Sequence, residues 1–304
     1  AVVIAQLTSS PWGMDQQAMA LLGVDYSSTV PRALGGLADA YAFHAYYDGI
    51  TVPAMLRFLI RLAPTLAGQG RDNRVYVTEY GRWPNRSESG DWREQWHLAE
   101  DISGALSNGD FLLALMSRSE VRGAVLHALG TSGPWQGIRR SRQDGGLYPT
   151  AAYWGMLAIR AASLDQLLLD DVVSGDHPAY AKAYDLRYAV TASDDGSRTG
   201  VLAVNRSASP LWLRLRDDSG RLGAAAGVSY LVAAPGAGRQ GNTDGDRAAI
   251  TMISKTLTPV AATTRSLCVP GRAIATFVLT AAAPAASTSG TQSLIARAAV
   301  EGKR

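Results

Sequence analysis

Apolar positions along the chain follow two regimes that change near Leu164. Before that point, short apolar runs alternate with stretches of helical spacing. Val2 to Leu7 reads as a short buried strand, followed by a helical stretch from Asp15 to Leu22. Ala40 to Tyr46 predicts a second strand. Val52 to Leu66 predicts a helix, with Met55, Leu56, Leu59, Ile60 and Leu62 recurring on one face. Arg74 to Thr78 predicts a third strand, Trp92 to Met116 a long helical region, Val121 to Leu129 a fourth strand and Thr150 to Ala162 a last helix. Strict alternation of strand and helix is the signature of βα units around a parallel sheet. Four such units amount to half of an eight-unit (β/α)8 barrel.

Beyond Leu164 the long helical periodicity disappears. Runs rich in Val, Leu, Tyr and Thr predict strands near 180–191, 199–206, 211–216, 228–233, 249–253 and 273–279. Asp194-Asp195-Gly196, Asp218-Ser219-Gly220 and Thr243-Asp244-Gly245 supply turn signals between them. Regular turns between short strands predict an antiparallel β-sandwich. The segment from Ala281 onward is low in complexity and reads as flexible. The expected organisation is therefore a half-barrel over 1–165, a sandwich over 166–281 and a tail over 282–304.

Composition agrees with a large folded core: of 304 residues, 47% are hydrophobic and 18% charged. That excludes a disordered chain. A formal charge of +3 is too small for a general binder of nucleic acid. Only Lys182, Lys255 and Lys303 among the 29 basic residues are lysines, and the arginines do not cluster. No apolar run reaches the roughly 18 residues that span a bilayer, so no membrane span is expected. Cys268 is the single cysteine, which excludes a disulfide within the chain and a cysteine metal site. The four histidines, at 44, 97, 127 and 177, lack metal-ligand spacing, and neither metal nor cofactor is expected. The start, Ala-Val-Val-Ile, has neither Met nor a basic leader, as expected of a mature or cut product. The compartment stays open, with the periplasm or the cell exterior favoured.

In parallel barrels, functional groups sit at the C-terminal ends of strands. The third strand leads into Thr78-Glu79-Tyr80-Gly81-Arg82-Trp83. An ionised carboxylate after a buried strand costs several kcal/mol unless it is paired, so Glu79 needs partners or a role. A structural ion pair with Arg82 or Arg32 is one reading. The other comes from the neighbouring strand, where His44 and Tyr46, two residues apart, share a face. A Tyr hydroxyl donating to a carboxylate keeps it ionised and oriented, as a nucleophile requires.

These residues carry a resemblance. His44-Ala-Tyr46 on one strand, Thr78-Glu79-Tyr80-Gly81 on the next and a Trp after the last resemble glycoside hydrolase clan A, the retaining glycosidases built on a (β/α)8 barrel. A barrel followed by a β-sandwich is similar to the α-L-arabinofuranosidase type, with heparanase-like and β-xylosidase-like families as relatives. Asp101-Ile-Ser-Gly, Gly123-Ala-Val-Leu-His127, Tyr148-Pro-Thr-Ala-Ala-Tyr-Trp and Val269-Pro-Gly-Arg follow in the matching order. The resemblance implies that Glu79 is the nucleophile, that Tyr46 orients it and that His44 contacts sugar or takes the network position beside it. It implies that Trp135 floors the sugar subsite. His127, near the end of the last strand, touches substrate or stands behind the groups that do, and Trp83 lies on a loop where it could stack on a sugar or simply pack. Trp12 and Trp92 lie on loops where they too could stack on sugars, or simply pack.

One departure matters. A retaining glycosidase needs a second carboxyl, an acid/base about 5 Å from the nucleophile. In the family it follows an Asn at the end of the fourth strand, and this sequence contains no Asn-Glu pair. The four strands here correspond to strands five to eight. Strands one to four, with the acid/base, are expected on a missing N-terminal half or partner chain, and the substrate is expected to be an oligosaccharide or polysaccharide. Asp48 or Glu88 as a substitute acid/base is a minor possibility. The competing class is a non-catalytic carbohydrate-binding or scaffold subunit, which should have lost Glu79.

Overall fold

The computed structural model describes residues 3–7, 25–47, 59–60, 62–66, 74–83, 92–130, 133–173, 185–217, 225–234, 241–259, 264–280 and 294–299. The predicted helix from Asp15 to Leu22 lies outside them, as do Trp12, Asp48 and Glu88. Of the predicted helix from Val52 to Leu66, residues 59–60 and 62–66 are described, and they are helical.

The first sheet is parallel, in the order β1-β2-β3-β4: β1 (Ile4–Gln6), β2 (Ala40–Tyr47), β3 (Val75–Arg82) and β4 (Val121–Leu126). β4 stops three residues short of the predicted Leu129, which leaves His127 just past the strand end. A short helix, α1 (Tyr26–Leu34), precedes β2 and was not anticipated. Asp25 caps it, its side chain accepting from the Ser28 amide at 3.3 Å. The predicted helical region from Trp92 to Met116 is two elements, a 3-10 helix at Trp92–Ala99 and α2 at Ile102–Met116. The break has a cause in the sequence: Asp101 takes extended backbone and accepts from the amides of Ser103 and Gly104, at 2.8 and 3.2 Å, starting a new helix.

After β4 comes a hairpin of β5 (Ile138–Arg140) and β6 (Leu147–Pro149), then α3 (Ala151–Ala162), capped by Thr150. α2 is apolar on two sides, the mark of a helix buried between layers. Phe111, Ala114 and Leu115 pack against Val75, Val77 and Tyr80 of the parallel sheet. Ile102, Ala105, Leu106 and Leu113, with Ala158, Ile159 and Ala162 of α3, pack the other way against an antiparallel sheet.

That sheet has six strands, in the order β12-β11-β14-β9-β8-β7: β7 (Gln166–Val173), β8 (Leu186–Ala192), β9 (Arg198–Asn205), β11 (Ala226–Ala233), β12 (Ile253–Leu257) and β14 (Ala273–Thr280). Its central strands are apolar on both faces. Leu202, Val204 and Ile274 face the helices, while Val201, Ala203, Ala275 and Phe277 face a second core. Across that core lies a three-stranded sheet, β13-β10-β15: β10 (Leu211–Asp217), β13 (Thr264–Val269) and β15 (Leu294–Ala299). β7 and β13 fall where no strand was predicted. The run expected near 249–253 forms a strand only at Ile253–Leu257. Residues 294–299, expected in a flexible tail, form β15 and pair with β10 along its length. No helix among the described residues is long and apolar enough to cross a membrane.

Candidate active site at the C-terminal end of the parallel sheet

β3 continues to Arg82, so Glu79 lies within the strand and not after it, as the sequence had suggested. Its orientation depends on an irregularity. Phe43 pairs with Val77, but the next residue, His44, pairs with Glu79, so Thr78 is an extra residue in β3. Simple alternation would set Glu79 on the same face as Val75 and Val77, against the helices. The bulge shifts the phase by one residue. Tyr80 then enters the helix-covered core beside Phe111, its hydroxyl 3.1 Å from the Met156 sulfur, and Glu79 turns to the opposite face.

On β2 the alternation is regular. Tyr41, Phe43 and Ala45 are buried against the helices, and His44 and Tyr46 occupy the other face, half-buried. The two strands therefore bring together the three residues chosen from the sequence. The Tyr46 hydroxyl donates to Glu79 Oε2 at 2.5 Å. His44 Nδ1 lies 3.2 Å from the same oxygen, and His127 Nδ1, from the end of β4, lies 3.8 Å from it. Neither Arg82 nor Arg32 pairs with Glu79, which removes the ion-pair reading. Burial, and then the hydrogen bond and charge of Glu79, push the Tyr46 hydroxyl far above its ordinary value of 10.0. The proton stays on the phenol, and the carboxylate stays the acceptor.

Aromatic rings wall this carboxylate. Trp135 lies 4.8 Å from Tyr46 and 5.1 Å from Trp83 between ring centroids, and His127 is 5.7 Å from Trp135. Two features seat Trp135. Its indole N–H donates to the Arg82 carbonyl at 2.7 Å, and its ring lies over Gly81, where a Cβ would come within 2.8 Å of Cδ1. Glycine is thus required at 81 by close approach of the ring. Trp83 is 39% exposed, as a residue lining an open site would be. The side chain of Trp92 lies outside the described residues.

A buried carboxylate that sequence reading overlooked supports the Trp135 loop from behind. Glu100 pairs with Arg139 at 2.6 Å, and its Oε1 is 3.4 Å from the Gln136 amide, next to Trp135. Burial pushes the Glu100 carboxyl up to about 7, against the opposing pull of Arg139. Burial likewise raises Asp101, while its bonds to the Gly104 and Ser103 amides and the Arg82 and His97 charges pull it down. The signal was present in Ala99-Glu100-Asp101, two carboxylates entering a buried helix, but it names no partner. A cavity of about 380 Å³ lies beside Glu100, bounded by Arg139, Tyr148 and residues 241–245. The Glu79 cluster is separate from it and lies on the face of the parallel sheet away from α2. Among the described residues, no group of three or more His, Cys, Asp or Glu could hold a metal ion.

No protein-family model matches the sequence, and no curated protein matches it either. Solved structures do match its fold. An α-L-arabinofuranosidase from Thermotoga maritima, in complex with arabinose, superposes with a TM-score of 0.69 at 17% identity, over 92% of this chain and 57% of that one. A family 51 α-L-arabinofuranosidase from Bifidobacterium longum gives 0.68 at 16% identity, over 91% and 58%. A more distant match is a family 44 xyloglucanase from Paenibacillus polymyxa, with a TM-score of 0.52 at 12% identity, over 93% and 57%. The chain thus spans less than two thirds of these proteins. Its mixed α/β fold is similar to that of the family 51 α-L-arabinofuranosidases of clan A, and the coverage fits their C-terminal part.

Proposed function

We propose that this chain is the C-terminal part of a retaining glycosidase, with Glu79 as nucleophile. The observation that carries the proposal is the Glu79 carboxylate, held through Oε2 by Tyr46 with His44 Nδ1 3.2 Å away, near the C-terminal end of a parallel strand, inside an aromatic wall and without an arginine partner among the described residues. In the first step Glu79 forms a bond to the anomeric carbon as the bond to the leaving oxygen breaks, and an acid protonates that oxygen. In the second step water, deprotonated by the same group, attacks the anomeric carbon and releases Glu79, so configuration is retained. Tyr46 orients the carboxylate. Trp135 forms the floor under the sugar, with His44, His127 and Trp83 as its further contacts.

The acid/base comes from a missing N-terminal half or partner chain that completes the barrel. In this reading residues 1–165 are strands five to eight of a (β/α)8 barrel, and the rest, including β15, is a β-sandwich. Parallel sheets are normally covered on both faces, whereas this one carries Ile4 at 47% and Val125 at 60% exposure on the face away from its helices. The native protein, incubated with a 2-deoxy-2-fluoro arabinofuranoside bearing a dinitrophenolate leaving group, should gain one glycosyl group on the peptide containing Glu79. Such a leaving group departs without protonation, so the trap reads the nucleophile independently of the acid/base. Labelling of another residue would move the nucleophile, and labelling of none with any activated glycoside would move the function to carbohydrate binding.

A further inference from the structure

The outer face of the three-stranded sheet carries a row of residues that neither the core nor the Glu79 site uses. β10 reads Leu211-Trp212-Leu213-Arg214-Leu215-Arg216. The three leucines are buried in the core shared with the six-stranded sheet, and Trp212, Arg214 and Arg216 point outward and are exposed. Trp212 leaves 38% of its surface in water, an unfavourable placement for so large an apolar ring unless something covers it. On β13 the register sets Cys268 opposite Trp212, Ser266 opposite Arg214 and Thr264 opposite Arg216, so none of the facing positions is acidic. On the other side it sets Arg297 of β15 opposite Arg214.

Charged residues on a strand often serve to blunt a sheet edge. That explanation does not apply to β10, which lies between β13 and β15. The row offers complementary chemistry to one kind of ligand. Guanidinium forks take carboxylates through paired hydrogen bonds, and an exposed indole offers a flat face for the C–H side of a sugar ring. Arg214 and Arg216 lie about 7 Å apart along the strand, which presents two forks in line with the indole. Both arginines also hold interactions within the chain and stay exposed. The face lies beyond the second core, on the far side of the six-stranded sheet from the helices and the parallel sheet, so occupancy there leaves Glu79 open.

We propose that this face binds a uronate-bearing polysaccharide, with Trp212 stacked on a sugar ring and Arg214 and Arg216 taking carboxylates along the chain. The test is affinity electrophoresis of the full chain through gels containing polygalacturonate, its methyl-esterified form, or single-stranded DNA. Retardation by polygalacturonate alone is expected. Trp212→Ala, by losing the stacking face, and the double variant Arg214→Ser/Arg216→Ser, by losing the paired hydrogen bonds, should each weaken it by about tenfold or more. Arg214→Lys/Arg216→Lys keeps the charge but loses the fork, and should fall between. Thermal unfolding of each variant checks that the sheet is intact, and Glu79→Gln should bind as the unaltered chain does. Retardation that survives esterification, persists in folded variants or is matched by DNA would overturn the proposal, as would its absence at low salt.

Discussion

At the scale of single residues, the Glu79 site is built so that the position of one proton is certain. The Tyr46 hydroxyl, pushed far up by burial and by Glu79, keeps its proton and so is the donor in its bond to Glu79 Oε2. Glu79→Gln removes the negative charge at constant shape. We expect kcat/KM of the active assembly to fall by about 10⁴-fold or more, with an unchanged circular dichroism spectrum. Tyr46→Phe removes one hydrogen bond to a charged group, so a loss of roughly ten- to a hundredfold is expected. Similar losses in the two variants would show that Tyr46 does more than orient. Glu100 titrates with the opposite logic. Its folded value, about 7, lies above its ordinary value of 4.5, so the folded chain holds the proton more tightly than the unfolded one. The stability this adds is complete below pH 4.5 and is lost as pH rises through about 7. At about 1.4 kcal/mol per unit, the fall is on the order of 3 kcal/mol. Glu100→Gln should flatten it, as read from urea midpoints across that window. An unchanged slope would assign the titration to another group.

At the scale of elements, α2 joins two sheets of different kinds. Its apolar positions are divided between them, and one charge locks the arrangement. Asp110 is fully buried, with Arg187 of β8 at 2.7 Å and Arg206 at 3.3 Å. α3 is tied to the same sheet by the Thr191 and Thr276 hydroxyls, which donate to the carbonyls of Ala162 and Ala158 at 2.7 and 2.9 Å. Asp110→Ala would leave two nearly buried guanidiniums facing the vacated site. A loss of about 3–5 kcal/mol is expected in chemical denaturation, and a loss below about 1 kcal/mol would mean that apolar packing alone holds the layers. The four parallel strands and the helices α2 and α3 were legible in the sequence, because apolar runs and helical spacing differ in period. The bulge at Thr78 was not. It depends on how β3 pairs with β2 and β4, and a single strand carries no record of its partners. The six-stranded sheet posed a related difficulty: β7, whose sequence is Gln-Leu-Leu-Leu-Asp-Asp-Val-Val, lacks clean alternation.

At the scale of the whole molecule, the described residues stack a parallel sheet, two helices and two antiparallel sheets, with Ile4 and Val125 exposed on the parallel sheet. A complementary four-strand half would bury Ile4 and Val125, protect the edges of β1 and β4 and bring a second carboxyl toward Glu79. Native mass spectrometry of the protein from its own cells should find it bound to such a half, or continuous with one. A hydrophobic dye should bind the isolated chain and be displaced on assembly. A folded monomer of this chain that hydrolyses glycosides by itself would overturn the assembly and locate the acid/base within the 304 residues.

The sequence by itself determined the alternation of βα units, the change of regime near Leu164 and the candidates His44, Tyr46 and Glu79, because period-two spacing and the expense of a buried carboxylate are local properties. It also placed Trp135 and His127 near the end of the last parallel strand through motif order. Only the tertiary structure decided that Glu79 faces Tyr46 and not the helices, since one inserted residue reverses every side chain after it. It likewise decided that Trp135 is seated by Gly81 and the Arg82 carbonyl, that Glu100 supports its loop, and that 294–299 form a strand beside β10. Each of these depends on contacts between residues distant in sequence, and no pattern along a single strand encodes which partner will stand across from it.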